Sequence, residues 1–259
     1  MSSSSGSGVS VRNLWMAYPE ADSRRKMRVI LEDVSLDIAE HEFVCVLGPS
    51  GCGKSTLLRI VAGLEKQSLG TVDTKSRPSV VFQEHGVFPW LTAAENIAYP
   101  LRLRGVPRAE RKERVDELLA MMGLKDFASY YPGQISGGMR QRVSVARALA
   151  DDGSVLLMDE PFGALDEQTR VSLQQELLRI WEKTSKAVMF ITHSVDEALT
   201  LADRVLVMST RPGRIIEEIK IPFGRPRDIL ALRRDPLYGE ITTRLWKLLG
   251  KGPQGKAAQ

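Results

Sequence analysis

Apolar residues along this chain fall into runs of two kinds. Val34, Leu36 and Ile38 alternate with polar neighbours, the period-two spacing of a strand with one wet face. The run FVCVL at 43–47 is continuously apolar, as in a strand buried on both faces. A glycine-rich loop follows. Leu57, Ile60, Val61 and Leu64 then recur at i, i+3, i+4 and i+7, one buried stripe of a helix. Short apolar runs at 80–82 (VVF), 155–158 (VLLM), 187–192 (AVMFIT) and 204–209 (RVLVMS) predict further strands. Leu173, Leu177, Ile180 and Trp181 predict a helix over about 167–184. Val9–Tyr18 predicts another strand, with PEADSRRKMR at 19–28 as a polar loop after it. Strands alternating with helices imply an α/β fold with a mostly parallel sheet covered on both faces.

The middle of the chain breaks this rhythm. Thr92 and Glu95 form a T-x-x-E capping box at a helix start, and Pro100 and Gly105 interrupt the helical pattern after it. A second helix carries Val115, Leu118, Leu119 and Met122 on one face and stops at Gly123. A third begins in ISGGMRQRVSVARALA, so residues 93–150 read as a helical insertion. Ser194 and Glu197 spell a second capping box. The tail, 226–259, holds an amphipathic segment with Leu237, Ile241, Leu245 and Leu248.

Composition narrows the class. A chain of 259 residues with 43% hydrophobic content makes one large domain or two small ones. A net charge of +4 is too mild and too dispersed for a nucleic-acid binder. Cys45 and Cys52 are the only cysteines and make no disulfide framework, which points to a reducing compartment. No apolar run approaches the roughly 20 residues that span a bilayer. The opening MSSSSGSG lacks the basic and apolar regions of a secretion signal and reads as a disordered tail. The expectation is a soluble cytoplasmic protein.

The chemistry is concentrated in three places. GPSGCGKST at 48–56 matches G-x-x-x-x-G-K-[ST] between a buried strand and a helix. Gly48, Gly51 and Gly53 let the backbone approach phosphate oxygens where a Cβ would collide. Lys54 reaches the β- and γ-phosphates, and the Ser55 hydroxyl ligates Mg²⁺. VLLMDEP ends a buried strand in two acids, which are costly there unless they meet something positive. Asp159 fits a Mg²⁺ group and Glu160 the base that orients an attacking water; the bland reading is a surface acid. ISGGMRQ at 135–141 opens a helix whose first N–H groups have no internal partner, a second anion site far from the first. Three single residues stay open on sequence grounds. His193 is either a γ-phosphate contact or a packed or capping histidine, Gln83 a metal or water ligand or a loop amide, and Tyr18 a base-stacking ring or one more strand aromatic.

Together these residues resemble the ATP-binding cassette (ABC) family from about Val9 to Pro226, with each element in order. The resemblance implies a P-loop NTPase with a RecA-like core, an inserted α-helical subdomain and an antiparallel β subdomain. It divides the chain into a tail at 1–8, an ATPase domain at 9–226 and a C-terminal helical tail at 227–259. It makes Tyr18 the aromatic that stacks on adenine. It makes Gly48, Pro49, Ser50, Gly51, Cys52, Gly53, Lys54, Ser55 and Thr56 the Walker A loop, with Gln83 at Mg²⁺. Asp159 and Glu160 become the end of Walker B with its catalytic glutamate, Asp166 the end of the D-loop (GALD, 163–166), and His193 the switch histidine. In this family two cassettes pair head to tail around two ATP molecules, so Ser136, Gly137 and Gly138 would close over the partner's nucleotide.

HGVFPWLTAAENI, LADRVLVMSTRPGRI and SGGM resemble cassettes of bacterial importers for nitrate, sulfonates and taurine. The implied cofactors are ATP and Mg²⁺. The implied partners are transmembrane permease subunits, a periplasmic or lipid-anchored solute-binding protein, and an identical chain or a paired second cassette. The implied place is the cytoplasmic face of the inner membrane. Cassettes acting on DNA ends or mismatches carry a long insertion between the positions of Gln83 and Ser136, which this chain lacks; ribosome-binding ones carry two Walker A loops. A degenerate binding subunit is disfavoured because Lys54, Glu160 and His193 are all present. Two departures stand out. His41 occupies a turn position that is usually glycine, and the segment from Leu64 to Gln83 is short, as for a trimmed hairpin.

Overall fold

A computed structural model describes residues 7–20, 23–83, 86–163, 165–184 and 186–250. Two long strands, β1 (Ser7–Glu20) and β2 (Ser23–Ala39), pair antiparallel, with Val9 opposite Ile38, Val11 opposite Leu36 and Tyr18 opposite Arg28. Val34, Leu36 and Ile38 are buried as their alternation predicts. Residues 23–28, expected in a loop, instead continue β2. Backbone pairing in a two-stranded ribbon needs no apolar run, so the polar sequence hid it. Residues 19–20 of that expected loop belong to β1, and 21–22 lie outside the described residues.

Next come β3 (Phe43–Leu47), helix α1 (Lys54–Val61) and β4 (Leu69–Thr74). Leu64 does not extend the α1 stripe. Gly63 takes φ +70° and ends the helix, and Leu64 turns out to solvent, 59% exposed. The short segment after it is not a free hairpin, because β4 pairs antiparallel with β1 and makes a three-stranded sheet in the order β2-β1-β4.

After β5 (Ser79–Val81) the chain forms α2 (Ala93–Leu103), α3 (Arg108–Met121) and α4 (Gly137–Ala150). The Thr92–Glu95 box is complete. Thr92 Oγ1 accepts from the Glu95 N–H at 3.2 Å, and Glu95 accepts from the Thr92 N–H at 2.8 Å. Pro100 is accommodated inside α2 rather than breaking it. Gly123, at φ +63°, follows α3 as its stop.

The α/β rhythm resumes with β6 (Val155–Asp159), α5 (Glu167–Trp181), β7 (Ala187–Thr192), α6 (Val195–Leu201) and β8 (Arg204–Met208). β9 (Ile215–Lys220) returns antiparallel to β8, and α7 (Ile229–Leu232) and α8 (Pro236–Gly250) follow. The tail's amphipathic stripe lies on α8, buried at Tyr238, Ile241 and Leu245 while Leu237 stays exposed.

The larger sheet runs β5-β6-β7-β3-β8-β9, parallel except for β9. β3 shows why its sequence is continuously apolar. Phe43, Cys45 and Leu47 face a core shared with α2–α6, whereas Val44 and Val46 face one shared with α1 and the three-stranded sheet. Fully burying such a side chain is worth about 1.5–3 kcal/mol, so both faces exclude polar residues.

The β2–β3 turn keeps the left-handed backbone expected of glycine, with His41 at φ +56°. Its ring stacks on the buried Trp181 at 4.9 Å and 9°. The Arg225 guanidinium lies over the same indole, 4.3 Å from the ring centroid.

β6, β7 and β3 are adjacent and in step, with Asp159 opposite Ile191 and Leu47 opposite Thr192. Their C-terminal ends therefore release Glu160, His193 and the glycine loop at one edge of the sheet, where ligands gather in open α/β folds.

Candidate functional site

The loop from Gly48 to Gly53 is shaped by close approaches. A Cβ on Gly48 would lie 2.9 Å from Cys52 Sγ and 3.1 Å from the Met208 carbonyl. Gly53 sits at φ +99°, and a Cβ there would meet Leu31 at 2.6 Å. Gly51 also has positive φ, at +76°, but faces open space. Glycine at 48 and 53 is thus demanded by packing, and at 51 by backbone conformation. Lys54 is buried, and its Nζ donates to the Gly48 carbonyl at 2.7 Å and the Pro49 carbonyl at 3.1 Å.

Beside the loop, Ser55 Oγ donates to Asp159 Oδ1 at 3.1 Å. Burial pushes the Asp159 carboxyl up from its ordinary value, and the Ser55 bond only partly offsets this. A buried carboxylate of this kind is better accommodated beside a cation. Among the described residues no three His, Cys, Asp or Glu side chains converge. The hydroxyl–carboxylate pair therefore suits a hard cation that takes its remaining oxygens from phosphate and water, the habit of Mg²⁺.

Glu160 follows immediately, in the left-handed region at φ +44°. Its N–H donates to the Ile191 carbonyl at 3.0 Å, which ties the two strand ends together. Oε1 lies 3.8 Å from Lys54 Nζ, and Oε2 lies 3.0 Å from His193 Nδ1. His193 is more than half exposed and Ser194 caps α6, so the packed and capping readings of this histidine both fail. Lys54, Ser55, Thr56, Gln83 and Glu160 line one open cleft of about 390 Å³, together with Ser50, Gly51, Gly53 and Ile30.

Several predicted residues lie elsewhere. Tyr18 is not in the cleft wall; its hydroxyl donates to Glu65 beyond the end of α1. Ser136 caps α4, accepting from the Met139 N–H at 3.3 Å, and is exposed beside the half-exposed Gly137 and Gly138. Asp166 caps α5, and the N–H of Thr169 lowers its carboxyl from the ordinary value. None of Ser136, Gly137, Gly138 or Asp166 lines the cleft of its own chain.

Two features escaped the sequence reading. Ile30, on β2, lines the cleft without any motif around it. Glu197 supplies only half of a capping box: its N–H donates to Ser194 Oγ at 3.3 Å, but its buried carboxylate accepts from Thr192 Oγ1 instead of from the Ser194 N–H.

The family model described as ABC transporter matches residues 31–163. An uncharacterised ABC transporter ATP-binding protein of Methanocaldococcus jannaschii is 50% identical over 228 residues, covering 85% of this chain and 84% of the relative. The chain belongs to the ABC transporter family. Other relatives of this ABC cassette include the taurine import ATP-binding protein TauB of Roseobacter denitrificans, 41% identical over 93% of this chain and 95% of that one. TauB of Pseudomonas aeruginosa is 44% identical over 85% and 88%. A dimeric ATP-binding cassette solved in a post-hydrolysis state with ADP and Pi superposes with a TM-score of 0.75 at 32% identity, covering 83% of this chain and all of that one. The cassette thus has the expected ABC ATPase fold. No helix among the described residues is long and apolar enough to cross a membrane.

Proposed function

We propose that this ABC ATPase energises uptake of a small organic anion of the sulfonate or taurine class through separate membrane permease subunits. The observation that carries the catalytic part is the placement of Glu160 between Lys54 and His193 at the mouth of the phosphate loop. The cargo class is supported by relatives that are taurine import ATP-binding proteins.

When bound, Mg²⁺-ATP supplies the transferable phosphoryl group and a metal charge that neutralises it. Lys54 leaves its loop carbonyls, or shares them, to neutralise the β- and γ-phosphates. Ser55 and Asp159, with Gln83 at the rim, would hold the metal. Glu160 orients the attacking water and receives its proton, while His193 fixes the carboxylate's second oxygen and faces the γ-phosphate. The residues of 48–56 wrap the phosphates, and Tyr18 offers its ring to adenine. Ser136, Gly137, Gly138 and Asp166 face outward in support of a head-to-tail dimer, where they close the nucleotide of a second cassette, identical or paired. The chain then sits on the cytoplasmic face of the inner membrane, below the permease and a solute-binding protein on the other side.

The test is reconstitution. The chain, copurified with its membrane subunits and placed in vesicles with ATP on the cassette side, is expected to accumulate labelled taurine or a related sulfonate. ATP turnover without sulfonate uptake overturns the cargo; absence of ATP turnover overturns the catalytic reading.

A further inference from the structure

The segment after α1 is stitched to β1 at three successive points. The Ser68 N–H donates to the Trp15 carbonyl at 2.9 Å. Ser68 Oγ accepts from the Ala17 N–H at 3.1 Å. The Tyr18 hydroxyl donates to the Glu65 carboxylate. The position of Glu65 is itself fixed by the helix end. The N–H groups of Gly63 and Leu64 return to the carbonyls of Ile60 at 3.0 Å and Arg59 at 2.9 Å, with Gly63 in the left-handed conformation that only glycine adopts without strain. The N-terminal end of α1 therefore carries Lys54 and Ser55, and a strap leaving its C-terminal end carries the group that holds Tyr18.

We propose that Glu65 is a positioning residue for nucleotide recognition: it anchors the Tyr18 hydroxyl and so sets the aromatic platform at a fixed reach from the phosphate loop. The proposal rests on the reading that Tyr18 stacks on the base. A tyrosine held only by its backbone rotates about two side-chain bonds, and stacking would have to freeze them at the moment of binding. A hydrogen bond to a carboxylate, stronger than one between neutral groups, orders the ring beforehand. Burial and the Glu65 bond both hold the phenol above its ordinary value, so the donor proton stays in place at any working pH. Glu65 has no part in hydrolysis on this account, because it lies at the opposite end of α1 from Glu160 and Lys54.

The experiment is equilibrium titration of the whole chain with Mg²⁺-ATP and, in parallel, with Mg²⁺-tripolyphosphate, which has phosphates but no base. Glu65→Ala and Tyr18→Phe are each expected to weaken ATP binding about threefold to tenfold, the scale of one ordinary hydrogen bond, because the bond orders the ring and does not touch the nucleotide. The double variant should be no weaker than either single one, because both remove the same bond. Tripolyphosphate affinity should not change in any of them, and single-turnover kcat at saturating ATP should hold in Glu65→Ala. Glu65→Gln keeps an acceptor and should recover most of the loss. Additive losses, or unchanged ATP affinity in Glu65→Ala, overturn the proposal. An equal loss of tripolyphosphate affinity also overturns it, since that marks general damage to the helix end. Tyr18→Ala separates the two readings: stacking on a base is worth about 1–3 kcal/mol. If Tyr18→Ala leaves ATP affinity intact, the base platform itself is wrong. If it weakens ATP and Glu65→Ala does not, only the anchor is.

Discussion

Replacing Glu160 with glutamine separates chemistry from binding. The carboxylate sits 3.8 Å from Lys54 Nζ, with both side chains largely shielded from solvent. Two unit charges at that spacing attract by about 4 kcal/mol at an effective dielectric of about 20. That attraction competes with the γ-phosphate for the same ammonium. Lys54 also keeps two loop carbonyls at 2.7 and 3.1 Å, so only part of the competition is released when the charge is removed. We expect about 1 kcal/mol in favour of ATP, a roughly fivefold tighter complex. Hydrolysis should move the other way, falling about 10²–10⁴-fold, the usual loss when a general base is removed. Glutamine keeps the shape and inherits the left-handed backbone at this position, but it leaves the buried Lys54 ammonium without its carboxylate, so thermal stability without nucleotide should fall and be regained on adding ATP. Phosphate release under single-turnover conditions, ATP titration, and light scattering on a sizing column with and without ATP read the three quantities. Persistent ATP and one less repulsion near its terminal phosphate should leave the variant dimeric with ATP for longer than the parent. Undiminished phosphate release, or weaker ATP binding, refutes the placement of Glu160.

Other outcomes follow from neighbouring features. Ser136→Arg and Lys54→Ala should each abolish turnover alone, yet a mixture should recover part of it, since one site of a mixed dimer keeps both an intact loop and an intact lid; turnover no greater than that of the two variants apart refutes the shared site. Arg227→Met should cost about 3–5 kcal/mol in denaturant unfolding, because the buried guanidinium donates to the Thr200 and Ala202 carbonyls at 3.0 and 2.8 Å and to Phe223 at 3.1 Å, and those carbonyls would lose their donors; a cost below 1 kcal/mol contradicts this. Burial, then the bond to Asp196, pushes the Tyr238 phenol up to about 12, so its stabilising share is complete below the ordinary value of 10.0 and is lost as pH rises from there through about 12; Tyr238→Phe should flatten the stability curve over that window, which denaturant midpoints measured against pH will reveal.

What could be read from the sequence divides along physical lines. The phosphate loop was legible because close packing leaves glycine no substitute at 48 and 53, and the central strands because both their faces are buried. β9 was missed, and β4 was read only as part of a trimmed hairpin, because edge strands held by pairing tolerate sequences such as LGTVDT and IIEEIK, which lack clean alternation. Leu64 was misplaced because the i+7 spacing continues in sequence past a glycine that ends the helix in space. His193 stayed open because its 3.0 Å contact with Glu160 joins side chains from two different strand ends, and Glu65 had no signal at all, since its partner lies 47 residues earlier. Spacing reveals what a residue's own element requires of it. Contacts between elements appear only with the fold.

The stack of His41, Trp181 and Arg225 also bears on how this cassette can change over generations. A left-handed non-glycine residue carries a penalty of about 1–2 kcal/mol, and an aromatic contact returns about 0.5–1.5 kcal/mol. Glycine at 41 would shed the penalty together with the stack and the contact of the ring with the Thr184 carbonyl, so the exchange is close to neutral while Trp181 remains. Once the indole is lost, however, histidine keeps its penalty with only the contact of its Nδ1 with the Thr184 carbonyl to offset it, and Arg225 loses the surface it rests on, though it retains its bonds to Asp203 and the Leu201 carbonyl. Drift at 41 is therefore permissive only in one order: glycine first, then the tryptophan. A lineage that reverses those steps passes through an intermediate in which histidine has lost its stack, so histidine at 41 should occur only with tryptophan at 181, whereas the tryptophan tolerates glycine at 41.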